Sequence, residues 1–504
     1  MVSGVDPMSQ LQVGRERQDA LGQFLTPSHV ADFMASLFDR LPESVRMIDA
    51  GAGAGALIAA FVRRACMQDS GVRSIHATAY ELDPLILPAL RETLAACEAL
   101  CKGSGITFTA SIHHADFILE MAGKLAGDLF RGAPPSFNLA IVNPPYRKIG
   151  MNSPERSALR SVDLETSNLY TGFVGLLARL VEDGGQLVGI TPRSFCNGPY
   201  FQPFREYFLE RMKLQRLHVF ESRNAAFRDD GVLQENIVFH AVRASVQAPS
   251  VIISSSSGIA GASMIARSFP FTEIVYPKDP ERFIHIPADA DHATATATLS
   301  TLPATLDSLG VTVSTGRVVD FRLKDALRQA PAAGTVPLLY PCHFNGGTIH
   351  WPKIEGRKPN AILDNETTRP WLVPSGLYLL TKRFTSKEER RRLVACIFDP
   401  TEIDAEWLGF ENHLNYFHAN GRGLERPLAL GLFAYLNSTL VDQHFRCFSG
   451  HTQVNATDLR KLPYPDRAML EAMGRALSRT DVSQQELDQL VRHHLHGIEQ
   501  TGSQ

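Results

Sequence analysis

The amino-terminal half of this sequence predicts an α/β fold, and three observations carry the prediction. From residue 17 to about residue 245, short apolar runs alternate with longer segments of helical period, the pattern of a parallel sheet with crossover helices. One run, Met47-Ile48-Asp49-Ala50, passes directly into the alternating glycines Gly51, Gly53 and Gly55, a tight strand-to-helix turn of the kind that lets backbone approach a ligand. Acidic residues then stand at the ends of later runs, where an open parallel sheet binds its ligands.

The totals fit a chain with more than one core. Its 504 residues, 44% hydrophobic and 20% charged, are enough for two or three domains. Seven cysteines are scattered without a Cys-x-x-Cys pair, so neither a disulfide framework nor a metal site is expected, and a reduced cytoplasm is the expected compartment. The first thirty residues lack an apolar export core, and no run approaches the roughly 18 apolar residues of a membrane span. A net charge of −3 argues against indiscriminate coating of nucleic acid but permits a local basic cleft. The expected organisation is a ligand-binding domain over residues 1–285, a connection over 286–306 rich in Ala, Thr, Asp and Pro, and a mixed α+β domain over 307–504.

Taken in order, each ligand-side element has a chemical reason. Thr26-Pro27 precedes the helical run Val30 to Leu37; a Thr hydroxyl and backbone amides at a helix entrance suit a ligand carboxylate. Asp49, Gly51 and Gly53 form the glycine turn described above. About thirty residues on, Ala77-Thr78-Ala79-Tyr80 ends in Glu81, a carboxylate able to accept both hydroxyl protons of a ribose. At a third run end, Asp116 offers an acceptor for an adenine amino group and Phe117 a wall for its ring. A nucleotide-like ligand follows from these elements together.

Asn143-Pro144-Pro145-Tyr146 directly follows the apolar run Leu139 to Val142, which puts it at a strand's carboxyl end beside the same crevice. An amine on an aromatic ring, like an amide nitrogen, is a poor nucleophile because its lone pair is delocalised. The Asn143 side-chain oxygen and the Pro144 carbonyl can accept its two N–H bonds and favour a pyramidal nitrogen. The paired prolines Pro144 and Pro145 pre-orient those acceptors, and Tyr146 supplies a face for a planar group. In the polar loop 223–230, Phe227 either gives a second stacking face or packs back on the sheet. Thr191-Pro192-Arg193-Ser194-Phe195 is left between a phosphate contact and a plain turn.

These residues, Thr26-Pro27, Asp49 to Gly55, Glu81, Asp116 and Asn143 to Tyr146, resemble the gamma-class adenine-N6 DNA methyltransferases. Val313 to Val319, Phe448 to Val454 and Leu462-Pro463-Tyr464-Pro465 look like the carboxyl half of the PstI/BsuBI-type modification methylases, so the resemblance spans nearly the whole chain. It implies a Rossmann-like class I methyltransferase domain followed by a target-recognition domain, S-adenosyl-L-methionine as methyl donor, and double-stranded DNA as substrate. It further implies the adenine of CTGCAG as target, a monomer, and a separately encoded restriction endonuclease as the other half of the system. Two alternatives stay open on the residues alone: a methylase of glutamine side chains in protein, which meets the same electronic problem with the same tetrapeptide, and an orphan regulatory DNA methylase. No Glu-x-Lys tripeptide occurs in the chain, so a fused magnesium nuclease is not expected.

In the carboxyl half, residues 353–392 hold ten Lys or Arg against five Asp or Glu. Lys382, Arg383 and Lys387 are the phosphate-contact candidates of this stretch, which otherwise reads as a solvated, charge-balanced face. Asn437-Ser438-Thr439, Gln443-His444, His451 and Gln453 gather groups able either to read base edges or to cap helices.

Overall fold

The computed structural model describes residues 26–67, 70–127, 132–220, 235–256, 264–277, 279–385, 389–449, 453–477 and 479–501. Phe227, Lys387 and His451 lie outside the described residues. The chain divides into two compact units, Met1–Ile286 and Pro287–Gln504.

The first unit is built on a nine-stranded sheet. Its strands are β1 (Ser44–Asp49), β2 (Ser74–Tyr80), β3 (Thr107–His113), β4 (Phe137–Val142), β5 (Val181–Pro192), β6 (Met212–Phe220), β7 (Asn236–Arg243), β8 (Ser250–Ser256) and β9 (Ile265–Pro270). Their spatial order is β3-β2-β1-β4-β5-β7-β6-β8-β9. The first five run parallel, as the alternation of runs predicts. All six residues of β4 are buried, which suits a central strand covered on both faces. The sequence expectation fails beyond β5: β7 inserts antiparallel between β5 and β6. Six consecutive buried residues open β7, and such a run reads the same in either strand direction.

The longer helices of this unit are α1 (Ser28–Ser36), α2 (Ala56–Ala65), α3 (Leu87–Gly103), α4 (Phe117–Leu125), α5 (Pro154–Arg160), α6 (Leu169–Leu180) and α7 (Gln202–Arg211). Between β1 and β2, α2 starts at Gly55, whose φ of 88° lies in the left-handed region that favours glycine. A Cβ there would also approach Thr93 to 3.0 Å. Leu57, Ile58, Phe61, Val62 and Ala65 turn the helix's apolar side onto the sheet core with Met47, Ile75 and Ala77. The order reverses at β1: the chain leads from β1 outward to β2 and β3, whereas β4 and β5 lie on its other side. The carboxyl ends of β1 and β4 therefore flank the crevice that a doubly wound sheet leaves for ligands.

The second unit is mixed α+β. A four-stranded antiparallel sheet runs in the order Thr312–Thr315, Leu414–His418, Tyr378–Lys382, Ala395–Phe398. Tyr378, Leu380, Cys396, Phe398, Leu414 and Tyr416 from three of these strands bury a shared core. The stretch expected as a connection, 286–306, instead carries helix α8 (Ala290–Ser300). Its Ala-Thr repeat has low apolar contrast, but Asp289 caps it by accepting from the His292 amide at 2.9 Å, and Ala295 and Leu299, four apart, are buried. The helical segment expected around 428–440 is two helices, α9 (Arg426–Leu436) and α10 (Thr439–Phe448). They break at Asn437-Ser438 because Ser438 Oγ takes the Val441 amide as an N-cap; α8 packs against α10.

Candidate active site

A cleft opens at the carboxyl ends of β1 and β4, with an empty volume of about 930 Å³ counting the space open to solvent. Gly51, Gly53, Glu81, Asp116, Phe117, Asn143 and Pro145 all line it. Residues from four separate strand ends thus meet in one cavity, because parallel strands deliver their carboxyl termini to the same edge of a sheet.

The glycine turn is held to the next strand end. The Ala52 amide donates to the Tyr80 carbonyl at 2.9 Å, and the Gly53 amide donates to Glu81 Oε2 at 2.9 Å. Glu81 Oε1 accepts from the Asp83 amide at 2.7 Å. The carboxylate is buried yet lines the cleft, and a carboxylate oxygen can accept more than one donor. At Gly51 an added Cβ would touch the Asn143 carbonyl at 3.7 Å and the Phe173 ring at 3.8 Å. Such a Cβ would fill part of the cradle.

Asp49 does not line the cleft. It is fully buried; Oδ1 takes the Gly51 amide at 3.3 Å, and Oδ2 has no hydrogen-bond partner among the described residues. Burial pushes its pKa up to about 7, with the neighbouring Glu81 charge adding to the rise and the Gly51 amide opposing it. Its part is to brace the turn.

Asp116 caps α4 by accepting from the Leu119 amide at 3.0 Å, so one oxygen serves the helix while the residue faces the cleft. Phe117 packs edge-on to Tyr80 at 5.4 Å between centroids and lies 5.1 Å from Phe173. Phe173, Leu169, Leu82, Ile86, Arg147 and Glu155 also line the cleft and were missed in the sequence. Phe173 and Leu169 stand four apart at the start of α6, a spacing that was legible as one helical face following the Asn-Pro-Pro-Tyr loop.

The tetrapeptide leaves β4 as expected. Asn143 lines the cleft, and its Nδ2 donates to Thr26 Oγ1 at 3.0 Å. Tyr146 donates from its hydroxyl to Asn143 Oδ1 at 2.9 Å and also approaches the Ile190 carbonyl at 3.3 Å. Its ring meets Tyr170 edge-on at 6.2 Å, and burial raises its hydroxyl pKa far above the usual phenol range. The Thr26 hydroxyl, expected at a ligand carboxylate, is thus turned to Asn143. Pro27 stands at the N-cap of α1, its carbonyl accepting from Val30 and Ala31.

Comparison with known proteins follows the same residues. A family model of the Eco57I restriction-modification methylase matches residues 107–227, a span that includes the tetrapeptide. Over 475 residues the chain is 42% identical to the type II methyltransferase M.PstI of Providencia stuartii, covering 94% of this chain and 93% of that one. The chain belongs to this type II methyltransferase family. M.BsuBI of Bacillus subtilis, another type II methyltransferase, is 44% identical over 464 residues, 91% of this chain and 90% of its own. Among solved structures, a DrdV–DNA complex aligns with a TM-score of 0.47 at 12% identity, over 92% of this chain and 58% of that one. The amino-terminal unit of this methyltransferase is a Rossmann-like class I domain, with β7 antiparallel within an otherwise doubly wound core. No described helix is long and apolar enough to cross a membrane.

The carboxyl-terminal candidates fare differently. Lys382 ends its strand half-buried, with Nζ 5.9 Å from the Phe344 ring centroid. Arg383 donates to the Asn412 carbonyl at 3.1 Å and to Gln453 Oε1 at 3.5 Å, so two candidates seventy residues apart touch each other. Asn437 bonds the Ala395 backbone in both directions, and His444 is buried. Of the two uses open to this polar group, Asn437 and Ser438 take the structural one.

Proposed function

We propose that this enzyme transfers a methyl group from S-adenosyl-L-methionine to the N6 amine of adenine in double-stranded DNA, as the modification half of a restriction-modification system. The observation that carries the proposal is Asn143 at the end of β4, lining the same cleft as Glu81 and Asp116. The donor set fits the methyl donor: a buried carboxylate for ribose hydroxyls, a second for an adenine amine, aromatic walls, and a cradle that a Cβ at Gly51 would fill. When bound, S-adenosyl-L-methionine supplies a methyl group activated by a sulfonium centre.

The chain's own residues do the rest. Glu81 holds the ribose, Asp116 the adenine amine, and Phe117 the ring, while backbone amides near Thr26 and Pro27 take the carboxylate. Asn143 Oδ1 and the Pro144 carbonyl accept the two N–H bonds of the target amine, concentrating its lone pair. No base need act before transfer. Tyr146 gives the extruded base a face, and Phe227 is proposed for the other. Arg383, Gln453, Lys382, Lys387 and His451 of the carboxyl-terminal unit are proposed as DNA contacts, with CTGCAG as the target site on family resemblance.

Tritium transfer from labelled S-adenosyl-L-methionine tests the substrate. The expected result is label in duplex DNA containing CTGCAG and none in duplex lacking it; label in protein alone would reverse the reading.

A further inference from the structure

Two hydroxyl groups grip one carboxamide from opposite ends. Asn143 Nδ2 donates to Thr26 Oγ1 at 3.0 Å, across 117 residues of sequence. At the other end, the Tyr146 hydroxyl donates to Asn143 Oδ1 at 2.9 Å. Thr26 is buried, and Tyr146 and Asn143 are half-buried. The Tyr146 hydroxyl is itself tied to the neighbouring strand through the Ile190 carbonyl at 3.3 Å.

A primary amide at the end of a short side chain turns in a broad torsional well. Half a turn exchanges its acceptor for its donor, and a donor facing a substrate N–H repels it. An acceptor used in catalysis therefore needs its orientation imposed by its surroundings. We propose that Thr26 and Tyr146 are positioning residues whose hydroxyls clamp the Asn143 carboxamide so that Oδ1 is presented as the acceptor for the target amine. This rests on the reading of Asn143 as the catalytic acceptor, and deepens it. An amide oxygen has two lone pairs, so the bond from Tyr146 does not by itself exhaust the acceptor capacity of Oδ1. Donation from Tyr146 drains some electron density from Oδ1. Donation by Nδ2 to Thr26 returns it through the conjugated amide, so the two contacts offset each other along one hydrogen-bonded chain. Burial keeps the Tyr146 hydroxyl protonated and therefore a donor. The clamp also gives Tyr146 a use for its hydroxyl separate from any use of its ring.

Three single variants separate these roles, measured against Asn143→Ala. Thr26→Val keeps the shape and removes the hydroxyl; Tyr146→Phe keeps the ring and removes the hydroxyl; Thr26→Ser restores the hydroxyl. Steady-state methylation of duplex DNA gives kcat and KM, calorimetry gives the affinity for S-adenosyl-L-methionine, and thermal melting reports folding. The expected result is a fall in kcat of about 10- to 100-fold for Thr26→Val and Tyr146→Phe. KM for DNA, cofactor affinity and melting should stay near wild type, and Thr26→Ser should recover most of the loss. Wild-type kcat in both hydroxyl-less variants beside an inactive Asn143→Ala would overturn the clamp and leave the catalytic reading standing. A Thr26→Val variant that loses cofactor affinity in place of kcat would also overturn it. An active Asn143→Ala would instead remove the catalytic reading beneath it.

Discussion

The cleft and the basic stretch 353–392 both hold polar side chains that the sequence marks for function, and the fold uses them in opposite ways. In the cleft, Glu81, Asp116 and Asn143 come from different strands and all face one cavity. In the basic stretch, several cations are instead spent on partners within their own unit. Arg392 is buried, with Nε 3.3 Å from Thr385 Oγ1 and its guanidinium over the Phe445 ring. Arg391 binds the Ser438 carbonyl at 2.7 Å and Gln484. Lys358 pairs with Asp320 at 2.8 Å, and Arg369 with Asp364. The difference is one of constraint. A strand-end motif dictates where its backbone goes, so its side chains must converge, whereas a count of charges leaves every long side chain free to find an internal acceptor.

The contrast is sharpest at its extremes. On the cleft side, Asn143→Ala should lower methyl transfer on the order of 10³-fold, as loss of a preorganised polar contact at a reacting centre does. Calorimetry should show cofactor binding retained. On the other side, Arg392→Met should cost about 3 kcal/mol of stability, because it empties one half of a buried polar network. The salt dependence of DNA binding should not move. A shallower salt slope with unchanged melting would make Arg392 a phosphate contact and dissolve the contrast.

A smaller effect is expected at Glu81. Its glutamine variant should weaken S-adenosyl-L-methionine by about 2 kcal/mol, the scale of one hydrogen bond to a charged group, read as a drop in affinity by titration calorimetry. The most gradual effect is the pH dependence set by Asp49. Its folded pKa is raised from 3.8 to about 7, so between those values the folded state holds a proton that the unfolded chain has lost. Stability should therefore fall as pH rises through that window, by at most about 1.4 kcal/mol per pH unit, and level off above it. Denaturant titrations of wild type and Asp49→Asn from pH 4 to 8 check this: the variant should lose that part of the slope.

How much was legible follows the same division. The glycine turn, Glu81, Asp116 and the Asn-Pro-Pro-Tyr loop were readable because each sits at a change of period from strand to helix, and the change itself places the residue. Phe173 and Leu169 were not singled out, since an apolar helix face looks the same whether it covers a sheet or a cleft. The antiparallel β7 was hidden for a similar reason. The Thr26 hydroxyl was read by its local setting at a helix start, while its partner lies 117 residues away, and no local pattern encodes such a contact. Helix α8 was hidden by an Ala-Thr repeat of low apolar contrast, in which the Asp289 cap and the buried Ala295 and Leu299 are weak local signals.

Sequencing of modified bases in DNA from cells expressing this chain or its Asn143→Ala variant tests the central claim most directly. The wild-type chain should leave N6-methyladenine at CTGCAG and the variant none. Methylated cytosine, unmodified DNA, or N6-methyladenine persisting in the variant would contradict it.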